Sequence, residues 1–365
     1  MERVCYIGGI VAYLFPHTRF HEDPIKVLRV WSCTMIDRLR RKFLLMALVF
    51  AFILGPISAI AQSKPNAVVF GSVDIGNGIT LHYAEQGTGV PIIFVHGSLS
   101  DYSYWRDQVI AFSKNYRAIA YSRRYNYPNH NPAVPGNSAI TDADDLAAFI
   151  KAMHLGKVYV IGHSYGALTG LFLAIKHPEM IRALVLTEPP AISLLQHLPG
   201  KDAKMGEAMY NDIQRRMVAP MKAEFAKGHR EAGVSLFIDY VFNDPQAWRK
   251  WSAQDRADTM KNAHEWDVMM TTGTLFPYID LAAIHRIRLP VLIMSGGKSY
   301  PFLALIDREL ARLIPNSESV VFPDDGHQMW YQSPVLCRQN VEAFFRAHAG
   351  MPPHDSATPA HGVGG

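Results

Sequence analysis

Val158-Tyr159-Val160-Ile161-Gly162-His163-Ser164-Tyr165-Gly166 passes from four apolar residues into a serine with glycines two positions before and two after it. An apolar run without polar alternation marks a strand buried on both faces. The stretch that follows, Tyr165 to Lys176, has helical periodicity. The spacing therefore predicts strand, tight turn and helix, with Ser164 on the turn. Glycines belong at 162 and 166 because a strained turn leaves no room for a Cβ there.

The same rhythm extends outward. Ile92 to Val95, Arg117 to Tyr121, Ala183 to Leu186, Val291 to Met294 and Ser319 to Phe322 are short, mostly apolar runs. Helical patterns fill most of the gaps, at Tyr104 to Ser113, Thr141 to Met153, Phe302 to Leu313 and Pro334 to His348. Alternation of this kind gives an α/β fold: a mostly parallel twisted sheet with helices on both faces. Val68 to Asp74 and Ile79 to Glu85, joined through Gly76-Asn77-Gly78, read as an antiparallel hairpin. Residues 189–288 break the rhythm, with helical patterns and no convincing strand. They are expected to form a helical cap over the carboxyl edge of the sheet, where sheets of this class bind ligands. The core is then split into residues 62–188 and 289–349.

Of 365 residues, 49% are apolar and 19% charged, which is globular composition and excludes disordered, fibrous and multi-span membrane classes. The net charge of +4 comes from the front of the chain: residues 1–61 hold eight of the 36 basic and four of the 32 acidic residues, leaving 28 of each downstream. A neutral body gives no support to a nucleic-acid partner. The front reads as an export signal, with a basic Arg38 to Lys42, an apolar Phe43 to Leu54 and the small-residue site Ala59-Ile60-Ala61. The apolar run is short for a membrane span, which needs about 17 to 25 residues. Residues 35–61 are thus expected to be a signal peptide, 1–34 an upstream extension, 350–365 a disordered tail, and the destination periplasmic or secreted, with no stable membrane insertion after cleavage. Cys5 and Cys33 precede the cleavage site, so the mature chain keeps Cys337 alone and has no internal disulfide. His17 and His21 have the spacing of metal ligands on a helix but lie in the discarded segment, and the body shows no such spacing. Neither metal nor cofactor is implied, the expected partner is a small-molecule substrate, and the oligomeric state is left open.

Gly162-His163-Ser164-Tyr165-Gly166 is a G-x-S-x-G motif in the strand-turn-helix setting of a nucleophile elbow. With His96-Gly97-Ser98 after an early strand, Trp105 beyond it, and the late Asp325-Gly326-His327, the chain resembles the α/β-hydrolase fold superfamily from Val68 to Ala349. The resemblance implies Ser164 as nucleophile, His327 as base, and an oxyanion hole formed by the backbone N–H groups of Ser98 and Tyr165. The chemistry agrees, since acyl transfer needs preorganised donors at the developing oxyanion and the residue after the nucleophile opens a helix. His163 is expected to be a structural imidazole under the turn.

The chain departs from the superfamily at two places. After Val291 to Met294, where an Asp is usual, it reads Gly296-Gly297-Lys298-Ser299-Tyr300, with no acid before Asp307. The loop Tyr121-Ser122-Arg123-Arg124-Tyr125 replaces a more common Asp- and Gly-containing turn and is expected to be a packed loop beside the site. Four carboxylates compete for the third place. Asp307 lies well inside a helix, and Asp324 and Asp325 sit too near His327 in the chain to fold back on it. Glu188 ends the strand next to the nucleophile strand and is held by Pro189-Pro190. Glu188 is therefore the candidate acid, with a Ser-His dyad assisted by water or Ser299 as the alternative. The function expected is a serine hydrolase acting on a small, largely apolar ester, lactone or related C–C substrate. A non-catalytic binder on the same fold and a cofactor-free haloperoxidase or perhydrolase remain open. Seven methionines and three tryptophans in the cap suit a plastic pocket, or pack the cap helices on each other.

Overall fold

The computed structural model describes residues 67–349. The expectations for the upstream extension, the signal peptide and the C-terminal tail concern residues outside that range.

Eight strands form one sheet: β1 (Val69–Asp74), β2 (Thr80–Gln86), β3 (Pro91–Val95), β4 (Arg117–Tyr121), β5 (Val158–His163), β6 (Ile181–Thr187), β7 (Val291–Gly296) and β8 (Ser317–Phe322). Their order across the sheet is β1-β2-β4-β3-β5-β6-β7-β8. The β1/β2 and β2/β4 pairs are antiparallel and every other pair is parallel. The chain thus has the mostly parallel sheet that its alternating pattern predicts.

Successive side chains of a strand point to opposite faces, and the two halves of the core divide accordingly. Ile93, Val95, Val158 and Val160 join one apolar cluster with the helices Ala139–Ala152, Tyr165–Lys176 and Pro301–Leu313. Their neighbours Ile92, Phe94, Tyr159 and Ile161 join another with Arg106–Phe112 and Pro334–Ala347. All six residues of β5 and of β7 are buried, which explains their unbroken apolar reading. β8 differs from that expectation. It is the edge strand, paired on one side only, and Val321 is 61% exposed.

Between β6 and β7 the described chain contains helices and no strand, including Ala203–Ile213, Ala219–Ala226, Arg230–Val241, Ala253–Met260 and His264–Thr271. Ile213, Met217, Met221, Trp248, Trp266, Met269 and Met270 are buried among these helices and against the first cluster. Among the described residues no helix is long and apolar enough to cross a membrane.

Candidate active site

The turn after β5 is made by sterics. A Cβ on Gly166 would lie 2.1 Å from the Val95 carbonyl oxygen, and one on Gly162 would lie 2.5 Å from Ala167 Cα. Only glycine lets the helix Tyr165–Lys176 start this close to β3 and β5. Ser164 takes φ 53° and ψ −122° between them. That conformation is costly for a residue with a side chain and persists only where its surroundings impose it. It throws the side chain clear of the sheet, into a cavity.

The neighbouring strand repeats the device. His163 and Thr187 are register partners, and the Ser164 N–H donates to the Thr187 carbonyl at 2.8 Å. The next residue on each strand therefore leaves the sheet at the same height, and Glu188, like Ser164, has a positive φ (48°). Its carboxylate is fully buried but not unpaired. One oxygen accepts from the Gly296 N–H at the end of β7 at 2.7 Å, and the other lies 2.5 Å from His327 Nδ1. An ionised carboxylate only accepts, so the contact puts the proton on Nδ1 and leaves Nε2 as the acceptor on the cavity side.

His327 sits in the loop between β8 and the helix Met329–Gln332. Its backbone carbonyl is fixed by His163, whose Nε2–H donates to it at 2.8 Å. Burial, reinforced by the nearby His327, lowers the His163 pKa to about 3, so this imidazole stays neutral and structural. The Tyr104 ring stacks on it at 5.1 Å.

None of the competing carboxylates contacts His327 in the way Glu188 does. Asp307 accepts from the Ser295 hydroxyl at 2.5 Å, and burial together with the charge of Glu188 pushes its pKa well above the usual carboxylate range. Asp324 is exposed and pairs with Lys298 at 3.3 Å. Lys298 N–H donates to the Asp325 carbonyl, which ties that residue into the β7 loop. Of the four acids weighed, Glu188 is the one brought to the histidine.

Ser98 and Ser164 line the same cavity, with His163 and His327. Tyr165 is the first residue of its helix, so its N–H is one of the donors the helix leaves free. The cavity, of about 790 Å³, is completed on the cap side by Phe237, Ile238, Val241, Phe242 and Trp251. None of the seven cap methionines is among its lining residues, so of the two roles open to them in the sequence the structure favours packing of the cap helices, while Trp251 alone of the three cap tryptophans reaches the cavity. Met217, Met221, Met269 and Met270 are instead buried in the core.

A buried ion cluster beneath Ser98 was not anticipated. Arg123 pairs with Asp142 at 2.8 Å and with Glu265 at 2.5 Å, and all three side chains are at most 2% exposed. Arg124 pairs with Asp145 at 2.5 Å. The basic loop that replaces the usual turn is thus neutralised from below. Asp142 and Asp145, three apart on one helix face, were a readable counterpart to the paired arginines. Glu265, about 140 residues further along the chain in the cap, gave no such signal.

Comparison with known proteins agrees with this architecture. Residues 90–334 match the family model described as alpha/beta hydrolase fold. A 2-(acetamidomethylene)succinate hydrolase of Mesorhizobium japonicum is 30% identical over 75% of this chain and 94% of its own length. A 2-hydroxy-6-oxo-6-(2'-aminophenyl)hexa-2,4-dienoic acid hydrolase of Metapseudomonas resinovorans is 27% identical over 72% of this chain and 89% of its own. The carboxylesterase CesB of Bacillus subtilis superposes with a TM-score of 0.59 at 18% identity, over 79% of this chain and 94% of that one, a likeness of fold. With a glycine-flanked serine on a strained turn after β5 and a histidine before the last helices, the chain belongs to the α/β-hydrolase fold family, in which the two curated relatives named above are hydrolases.

Proposed function

We propose that the protein is a serine hydrolase that cleaves a small, largely apolar carboxylic ester, or a related lactone or C–C substrate, through an acyl-enzyme. The observation that carries this reading is the shared cavity of Ser164 and His327 together with the 2.5 Å contact between His327 Nδ1 and Glu188. In the proposed reaction His327 Nε2 takes the Ser164 proton as Oγ attacks the carbonyl carbon. The oxyanion that forms is held by the N–H groups of Ser98 and Tyr165. Glu188 stabilises the imidazolium, which gives its proton to the leaving group. Water then enters by the same steps in reverse roles and releases the acid.

The apolar cap wall favours an uncharged acyl or alcohol group. Asp101, Asp255 and Asp258 line the cavity, and Lys261, the basic side chain among the lining residues, is paired with Asp258. A substrate bearing carboxylates would lack a free counter-charge there. That sets the reading apart from the succinate substrate named for the first relative. The N-terminal pattern of basic, apolar and small residues supports export to the periplasm or beyond, and begins the mature chain at Gln62.

A series of p-nitrophenyl esters from acetate to long chain tests the reading. Hydrolysis strongest for short to medium acyl groups, and lost in Ser164→Ala, is expected. No turnover of any ester, lactone or C–C substrate by the wild type would overturn it.

A further inference from the structure

We infer that the buried triad Asp142–Arg123–Glu265 is a positioning device that aims the Ser98 N–H into the oxyanion hole, so that the cap helix His264–Thr271 contributes to the chemical step. The inference rests on the proposed role of Ser98.

The Ser98 N–H belongs to the Gly97–Ser98 peptide. A trans peptide is planar, so the direction of its carbonyl fixes the direction of its N–H, which points the opposite way. The Gly97 carbonyl is held by two donors: Arg123 Nη2 at 3.1 Å and His96 Nδ1 at 2.8 Å. His96 is itself oriented, because its Nε2 accepts from the Arg123 backbone N–H at 3.0 Å. The next peptide is held from the other side, where the Leu99 N–H donates to Glu265. Leu99 has a φ of 55°, a conformation that needs such restraint. Both peptide planes flanking Ser98 are thus gripped by one ion pair. Donors on the Gly97 carbonyl also polarise that amide and strengthen its N–H as a donor.

Arg123 also packs on the side chain of Tyr165, whose backbone N–H is the second donor. Its guanidinium lies 4.8 Å from the centroid of the Tyr165 ring. Both Glu265 oxygens are engaged, one by Leu99 and the other by Arg123 and by Asn126 Nδ2 at 2.9 Å, and Asp142 Oδ2 takes Arg123 Nη1, while Arg123 Nε is left without a hydrogen-bond partner. A buried ion pair contributes little to net stability after desolvation, so a geometric task is a better account of its presence than cohesion.

Glu265→Gln keeps the shape of the side chain but sets an amide N–H₂ against the N–H donors that the carboxylate now accepts. Arg123→Lys keeps the charge, but one compact ammonium cannot serve Asp142, Glu265 and Gly97 in fixed directions. Removing an oxyanion donor costs about 10²–10³ in kcat. Misaiming one is expected to cost about 10- to 100-fold in either variant on p-nitrophenyl butyrate, with KM within about threefold of wild type. The Ki of an alkyl trifluoromethyl ketone, whose serine adduct carries the oxyanion, should rise in the same proportion. A merely structural role would not move Ki and kcat together while leaving KM in place. Wild-type kcat and Ki in a folded variant, or a loss confined to KM, would overturn the inference while an inactive Ser164→Ala upholds the parent reading. An active Ser164→Ala would overturn the parent reading instead.

Discussion

The floor of the cavity and its roof are built on different terms. On the floor, Ser164 and Glu188 are the residues that follow the register pair His163 and Thr187, and Glu188 is tied to Gly296 on the next strand. Hydrogen-bonded strands at fixed spacing leave these groups little freedom. On the roof, Phe237, Ile238 and Val241 come from the helix Arg230–Val241, and Phe242 and Trp251 from the turns at helix ends beside it, where apolar packing tolerates exchange of side chains of similar volume. The floor can therefore hold chemistry constant while the roof changes what fits above it. Glu265 is the exception, a roof residue bonded into the floor.

The contrast can be broken most severely at the floor. Ser164→Ala and His327→Ala are each expected to lower kcat by roughly 10⁴ to 10⁶, and the double variant by little more, because such residues act as a unit. Additive losses would mean that the two do not share a step. Glu188→Gln comes next, at roughly 10² to 10⁴ in kcat, since the histidine loses both its tautomer restraint and its counter-charge. Full activity there, with loss in Asp307→Asn, would move the acid to another strand end.

The roof should respond more gently and in a different quantity. Trp251→Ala or Phe237→Ala is expected to raise KM for long-chain p-nitrophenyl esters by about tenfold, with kcat for the acetate within about twofold, because a pocket wall discriminates by only about 1–3 kcal/mol. A kcat loss as large as that of Glu188→Gln would erase the distinction between the two regions.

The smallest effect concerns stability. His163 has a folded pKa of about 3, below the ordinary value near 6.5. The unfolded chain binds more protons between those limits, so the contribution of the neutral imidazole is fully present above about pH 6.5 and is lost as the pH falls toward 3. Thermal midpoints at pH 7.5 and 4.5 should therefore fall further apart in the wild type than in His163→Gln. Equal differences would show that His163 titrates alike in both states.

The floor was legible in the sequence residue by residue, whereas of the roof only its helical character was, for a physical reason. Strands buried on both faces must be apolar throughout, and the close approach of Gly162 and Gly166 to their neighbours forces their identity, so Val158 to Gly166 declares itself. Glu188 emerged by elimination, from an absent acid after β7 and from the geometry of adjacent strands. β8 misled because its apolar residues suggested burial, yet as an edge it exposes Val321. The Arg123–Glu265 pair was beyond reading: charged residues are expected at the surface, and nothing local tells a helix-borne glutamate that its partner lies some 140 residues earlier.

Fluorophosphonate labelling of the intact protein, followed by peptide mapping, tests the central claim most directly. A single adduct on Ser164, formed rapidly by the wild type, slowly by Glu188→Gln and not at all by Ser164→Ala, is the expected result. A wild-type protein that stays unlabelled, or carries its adduct on another serine, would contradict the assignment of the floor as the catalytic surface.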